Sequence, residues 1–106
     1  MKPLTESISL YIDRDVRDSI AGLAARQDRS ISKYVTITLK AHIKEVESGK
    51  IFEDDFMEKR REAKKCTLTI TVDGEVLAKI REYADLDDRS ISYYINRVLR
   101  NHIDGQ

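Results

Sequence analysis

The sequence predicts a mainly α fold with a two-stranded antiparallel β-ribbon, built from two tandem strand-helix-helix units that share one core. Three observations predict it. Sliding the 106-residue chain against itself by 60 positions aligns Asp28-Arg29-Ser30-Ile31-Ser32 with Asp88-Arg89-Ser90-Ile91-Ser92, an identity over five consecutive residues that chance rarely produces. Each copy opens on strict polar-apolar alternation and continues into two apolar stripes of helical spacing. Each half, at roughly 45 residues, is too short to bury a self-sufficient core, so the halves must share one.

The same ungapped register pairs Asp13 with Asp73, Val16 with Val76, Ile20 with Ile80, Ala24 with Ala84, Tyr34 with Tyr94, Leu39 with Leu99, His42 with His102 and Ile43 with Ile103. The strands are Ser7-Ile8-Ser9-Leu10-Tyr11-Ile12 and Thr67-Leu68-Thr69-Ile70-Thr71-Val72. Successive side chains project to opposite faces, so Ile8, Leu10 and Ile12 pack while Ser7, Ser9 and Tyr11 stay available for contact. Asp13 and Asp73 end the strands and are placed to cap a first helix, whose apolar positions Val16, Ile20, Leu23 and Ala24 match Val76, Ile80, Tyr83 and Ala84. A polar turn follows, and Ser30 and Ser90 cap a second helix with apolar positions Ile31, Tyr34, Val35, Leu39 and Ile43, matched by Ile91, Tyr94, Ile95, Leu99 and Ile103.

Residues 1–46 thus form the first unit and 66–106 the second. Residues 47–65 read as a charged linker, in which Asp54-Asp55 can cap a short helix bringing Phe52, Phe56 and Met57 to the core. A six-residue strand with one polar face is not stable alone, and its natural partner is its own duplicate running antiparallel.

Leu, Ile and Val are spread through the chain, and no stretch approaches the ~20 apolar residues that cross a membrane. The N-terminal Met1-Lys2-Pro3-Leu4-Thr5 lacks the apolar core of a signal peptide, so a cytoplasmic protein is expected. Cys66 has no second cysteine to pair with, and His42 and His102 lack further ligands at metal spacing; packing roles are expected for all three. No nucleophile, base and orienting group recur together and no glycine-rich phosphate loop is present, so neither an enzyme nor a cofactor is expected. Nineteen basic and nineteen acidic residues cancel, which is not the usual footprint of a nucleic-acid binder. The charge is uneven, however: 8 basic and 6 acidic residues in 1–46 give +2, 6 and 6 in the linker give 0, and 5 and 7 in 66–106 give −2.

The order of elements, with Arg-Ser-Ile-Ser entering the second helix of each copy, resembles the ribbon-helix-helix family of MetJ, Arc and CopG type. The resemblance covers nearly everything outside the linker. Members are usually homodimers; two copies in one chain resemble the tandem TraY-like form and imply a single-chain pseudo-dimer.

The resemblance implies that the ribbon's polar face enters the major groove of double-stranded DNA, with Ser7, Ser9, Tyr11, Thr67, Thr69 and Thr71 reading bases. None of these six is the Arg, Lys, Asn or Gln that gives bidentate readout, so modest specificity is expected. Tyr11 aligns with Thr71, which implies an asymmetric site. It also implies that the N-terminus of each second helix clamps a backbone phosphate, through Ser30 and Ser32 with Arg29 and Lys33, and through Ser90 and Ser92 with Arg89. Lys59-Arg60-Arg61 and Lys64-Lys65, just before the second strand, are a further basic run within reach of phosphates.

The expected function is transcriptional regulation by occupying a promoter, with copies able to assemble side by side on DNA. The alternatives are a conjugative-plasmid relaxosome accessory protein that binds and bends an origin of transfer beside a relaxase, and an antitoxin or other protein-interaction module. Alternating Ser and Thr also mark a merely solvated strand face.

Overall fold

Two strands with one apolar and one polar face need each other, and in the computed structural model, which describes residues 5–49 and 64–105, they pair. The order is β1 (Thr5–Asp13), α1 (Arg14–Arg26), α2 (Ile31–Glu47), β2 (Lys65–Asp73), α3 (Gly74–Leu86) and α4 (Ile91–Asp104). The fold is therefore mostly helical, with one two-stranded antiparallel sheet. Ser9 stands opposite Thr69 at the midpoint, and the ladder runs from Thr5 opposite Asp73 to Asp13 opposite Lys65. Since Ser9 and Thr69 are 60 residues apart, equivalent positions of the repeat meet at the centre of the ribbon.

Both strands outrun the alternating hexapeptides. The Arg14 amide donates to the Lys64 carbonyl at 2.8 Å, so backbone pairing reaches past Asp13, and Lys65 belongs to β2. Likewise α2 continues to Glu47, one residue into the stretch read as linker. The expected helix bearing Phe52, Phe56 and Met57, and the basic residues 59–61, lie outside the described residues.

The core lies beneath the ribbon. Leu10, Ile12, Ile70 and Val72 point down onto Val16, Ile20 and Ala24 of α1, Val76, Leu77, Ile80 and Ala84 of α3, and the buried stripes of α2 and α4. Val35, Leu39, Ile95 and Leu99 are fully buried at the centre. α2 packs on α4, and α1 and α3 each touch both of those helices but not one another. The apolar periodicity accounts for this layout, because each stripe is wide enough to face two neighbours.

Two reciprocal hydrogen bonds join the central helices. Tyr34 Oη lies 2.8 Å from His102 Nε2, and Tyr94 Oη lies 2.7 Å from His42 Nε2. The start of each helix meets the end of the other, so α2 and α4 are antiparallel, and the histidines serve packing and hydrogen bonding as expected. Burial holds both imidazoles below their ordinary value of 6.5, against an opposing pull from Glu45 at His42. The folded protein thus favours neutral histidine, while the unfolded chain takes up protons as pH falls through 6.5. Stability is expected to be complete above that pH and to decline below it until the folded histidines also titrate. Thermal melts at pH 7 and pH 5 check this: the midpoint falls in the wild type, and the fall is smaller in H42Q/H102Q.

The turns between paired helices also repeat. Asp28 and Asp88 adopt left-handed backbone, with φ of 58° and 59°. This lets the Arg29 and Arg89 amides donate back to the Ala24 and Ala84 carbonyls, both at 2.9 Å, closing α1 and α3. Asp tolerates that conformation better than most residues with a Cβ. Among the described residues, no helix is long and apolar enough to cross a membrane.

Candidate nucleic-acid interface

The ribbon's outer face carries Ser7, Ser9, Tyr11, Thr67, Thr69 and Thr71, all exposed, with Tyr11 at 61%. The alternating pattern brings all six sequence-predicted ribbon residues onto one ridge. At its centre Ser9 Oγ and Thr69 Oγ1 lie 3.0 Å apart. Ser7 faces Thr71 and Tyr11 faces Thr67, so the single aromatic makes one end taller than the other.

The amides of Tyr11 and Thr71 point away from the partner strand, toward the ribbon's outer edges. Each finds a serine: Tyr11 N donates to Ser92 Oγ and Thr71 N donates to Ser32 Oγ, both at 3.1 Å. An open strand edge is a row of unpaired polar groups, and here a side chain from each second helix takes one of them. The hydroxyl oxygens of Ser32 and Ser92, expected from the sequence at the phosphate clamp, are thus engaged with the ribbon backbone. Their effect is to place each helix N-terminus beside the ridge.

At those N-termini, Ser30 Oγ accepts from the Lys33 amide and Ser90 Oγ from the Tyr93 amide, both at 3.1 Å. The next amides, of Tyr34 and Tyr94, reach the Ser30 and Ser90 carbonyls at 3.0 Å. The geometry of a helix start leaves the amides at 31 and 32, and at 91 and 92, without an intrahelical acceptor. They lie at the positive end of the helix dipole. Arg29 and Arg89 adjoin them and are exposed; the Arg89 guanidinium sits 4.8 Å from the centre of the Tyr93 ring.

The two flanks differ beyond this point, and the sequence reading missed how. Positions at i, i+4 and i+8 of each second helix line one strand edge: Ser32, Thr36 and Lys40 along β2, Ser92, Asn96 and Arg100 along β1. On the β1 side the stripe is closed by contacts. Asn96 Oδ1 accepts from the Asp13 amide at 3.0 Å, Asn96 Nδ2 donates to Asp13 Oδ2 at 3.2 Å, and Arg100 reaches Asp13 at 2.7 Å and Asp15 at 3.1 Å. Lys65 Nζ adds a 2.9 Å ion pair to the same Asp13 carboxylate. Asp13, expected to cap α1, makes no side-chain cap, whereas Asp73 does cap α3 through a 3.0 Å bond from the Glu75 amide.

On the β2 side Thr36 turns inward, donating to the Ser32 carbonyl at 2.9 Å. An open groove of 520 Å³ remains there, lined by Thr5, Ser30, Ser32, Lys33, Thr36, Ile37, Lys40, Thr71 and Asp73. Neither Lys33 nor Lys40 has an ion-pair partner among the described residues.

No family model, curated protein or solved structure matches the chain. The reading of the site therefore rests on its own geometry. A signal for Thr36, Lys40, Asn96 and Arg100 was present in the sequence, since a polar residue recurs every fourth place after Ser32 and Ser92. Without the register of the ribbon, nothing indicated that this stripe faces a strand edge.

Proposed function

We propose that the chain is a tandem ribbon-helix-helix pseudo-dimer that binds double-stranded DNA, laying its ribbon in the major groove to regulate transcription from the promoter it occupies. One observation carries the reading: a six-residue hydroxyl ridge is flanked on both edges by helix N-termini docked to it through Ser32 and Ser92. The major groove, about 12 Å wide, admits a two-stranded ribbon. Hydroxyls donate or accept, while the amides and dipole at each helix start suit a phosphate oxygen. The zero net charge is compatible with this, because Lys33 and Lys40 line the β2-side groove against the single acid Asp73, and Arg29 directly precedes Ser30 of the same lining. The presence of both units in one chain favours a second reading, the relaxosome accessory role, which uses the same contacts at an origin of transfer.

Selection of binding sites from random duplexes, followed by salt-titrated anisotropy, tests the proposal. For the selected site, S7A/S9A/Y11A is expected to lower affinity roughly 10- to 100-fold, toward the non-specific level, with little change in salt slope. Lys33→Ala is expected to weaken selected and random duplexes alike and to reduce the slope by about one. The location of the selected sequence, at a promoter or at a nicking site, separates the two roles. Absence of salt-dependent association with any duplex would sink both.

A further inference from the structure

Three large apolar side chains are notably exposed among the described residues: Tyr11 on the ribbon, Ile37 at 41% and Leu86 at 79%. The last two stand in opposite electrostatic settings. Leu86 ends α3 between Asp85 and Asp87, with Asp88 next, and all four residues are exposed. Ile37 lies in the 520 Å³ groove between Lys33 and Lys40. One is an acidic apolar knob, and the other an apolar floor whose two cations outnumber the one acid of the lining, Asp73, which is engaged by the Glu75 amide.

Each exists only once. The positions equivalent to Asp85-Leu86-Asp87 are Ala25-Arg26-Gln27, which carry neither the acid nor the apolar tip. The counterpart of the groove is occupied by the chain's own contacts, where Arg100 is held by Asp13 and Asp15 and Tyr93 is covered by Arg89. The two features also lie on opposite sides of the molecule. α4, which follows the knob, docks on the β1 edge through Ser92, whereas α2, which supplies the groove, docks on the β2 edge through Ser32.

From this complementarity we infer that the protein self-associates head to tail, the Asp85-Leu86-Asp87 knob of one copy seating in the Lys33-Ile37-Lys40 groove of the next. A second copy is the occupant because the chain itself supplies both halves with matching charge and an apolar side chain at each centre. A single copy does not fill its own groove, as the helix that follows the knob and the helix that supplies the groove dock on opposite edges of the ribbon. The contact is heterologous, so it leaves a free knob and a free groove at the ends of every oligomer unless the rotation closes a ring. Small exposed ion pairs and one buried leucine make such a contact weak and salt-sensitive. Ser30 and Lys33 also belong to the helix start proposed to meet phosphate, so a seated knob and a DNA backbone compete for the same cations. The association itself does not depend on the DNA reading.

Sedimentation velocity of the full chain without DNA, over about 10 to 500 µM at about 50 mM and 500 mM NaCl, reads this directly. The wild type is expected to show concentration-dependent growth at low salt that is lost at high salt. D85K/D87K and K33E/K40E each remain monomeric, and Leu86→Ser weakens association at least about tenfold. Mixing the two charge-reversed variants sets each knob against a groove of opposite charge on the other variant, so the mixture is expected to regain salt-sensitive growth in strict alternation. Circular dichroism melts confirm that both variants are folded. Monomeric wild type at low salt, or variants that assemble like it, overturns the inference; neither result bears on whether the ribbon binds DNA.

Discussion

Leu99→Ala is expected to destabilise the protein by about 2–5 kcal/mol, the range for removing a fully enclosed leucine whose site cannot collapse. Leu99 is completely buried in α4, beneath both strands and against the other central helix. Its equivalent, Leu39, is completely buried in α2, so the two truncations are expected to have similar effects. Tyr11→Ala makes the contrast. That ring is 61% exposed on the outer ridge, and its loss should shift stability by less than about 0.5 kcal/mol. Urea unfolding of the three variants checks the division of labour. If Tyr11→Ala cost as much as Leu99→Ala, the outer face would be part of what holds the fold, and its availability as a ridge would be in doubt.

That division was legible from the sequence because the ribbon's pattern has a period of two. Ile8, Leu10 and Ile12 alternate with Ser7, Ser9 and Tyr11, and a strand with one face committed to a core has no freedom over the other. The helices were legible for a related reason: the stripes through Ile20 and Ile80, and through Leu39 and Leu99, each recur in the duplicate, so a chance apolar run in one copy would not survive comparison with the other. The contacts between copies were harder to read. The Tyr34–His102 and Tyr94–His42 bonds join residues 68 and 52 apart, and only the antiparallel packing of α2 on α4 makes them neighbours. Ser32 and Ser92 illustrate a different difficulty. Their place in the first turn of a helix suggests a solvent-facing hydroxyl, and nothing local reveals that a strand edge with an outward amide passes within 3.1 Å.

Asp13 is where the duplication conceals most, because Asp73 shares its identity and its place in the repeat but not its surroundings. Asp13 is 8% exposed and receives Arg100, Lys65 and Asn96, while Asp73 caps α3. Burial alone would raise the Asp13 pKa, yet hydrogen bonds from Arg100, Lys65 and Asn96, with the charge of Lys65, outweigh it and hold the carboxyl below its ordinary 3.8. Asp13→Asn is therefore expected to cost about 1.5–3 kcal/mol, since it removes charge-assisted bonds and leaves two cations beside a neutral amide. Asp73→Asn is expected to stay within about 0.5 kcal/mol, as Asn caps a helix nearly as well as Asp. A depressed carboxyl contributes fully above its unfolded pKa, and that contribution fades as pH drops from 3.8 through the folded value. The gap between wild type and Asp13→Asn should accordingly be constant from neutral pH to about pH 5 and close in stronger acid. Equal costs for the two aspartate variants at neutral pH would mean that the network on the β1 edge holds nothing in place. The difference between a closed β1 flank and an open β2 flank would then lose its physical basis.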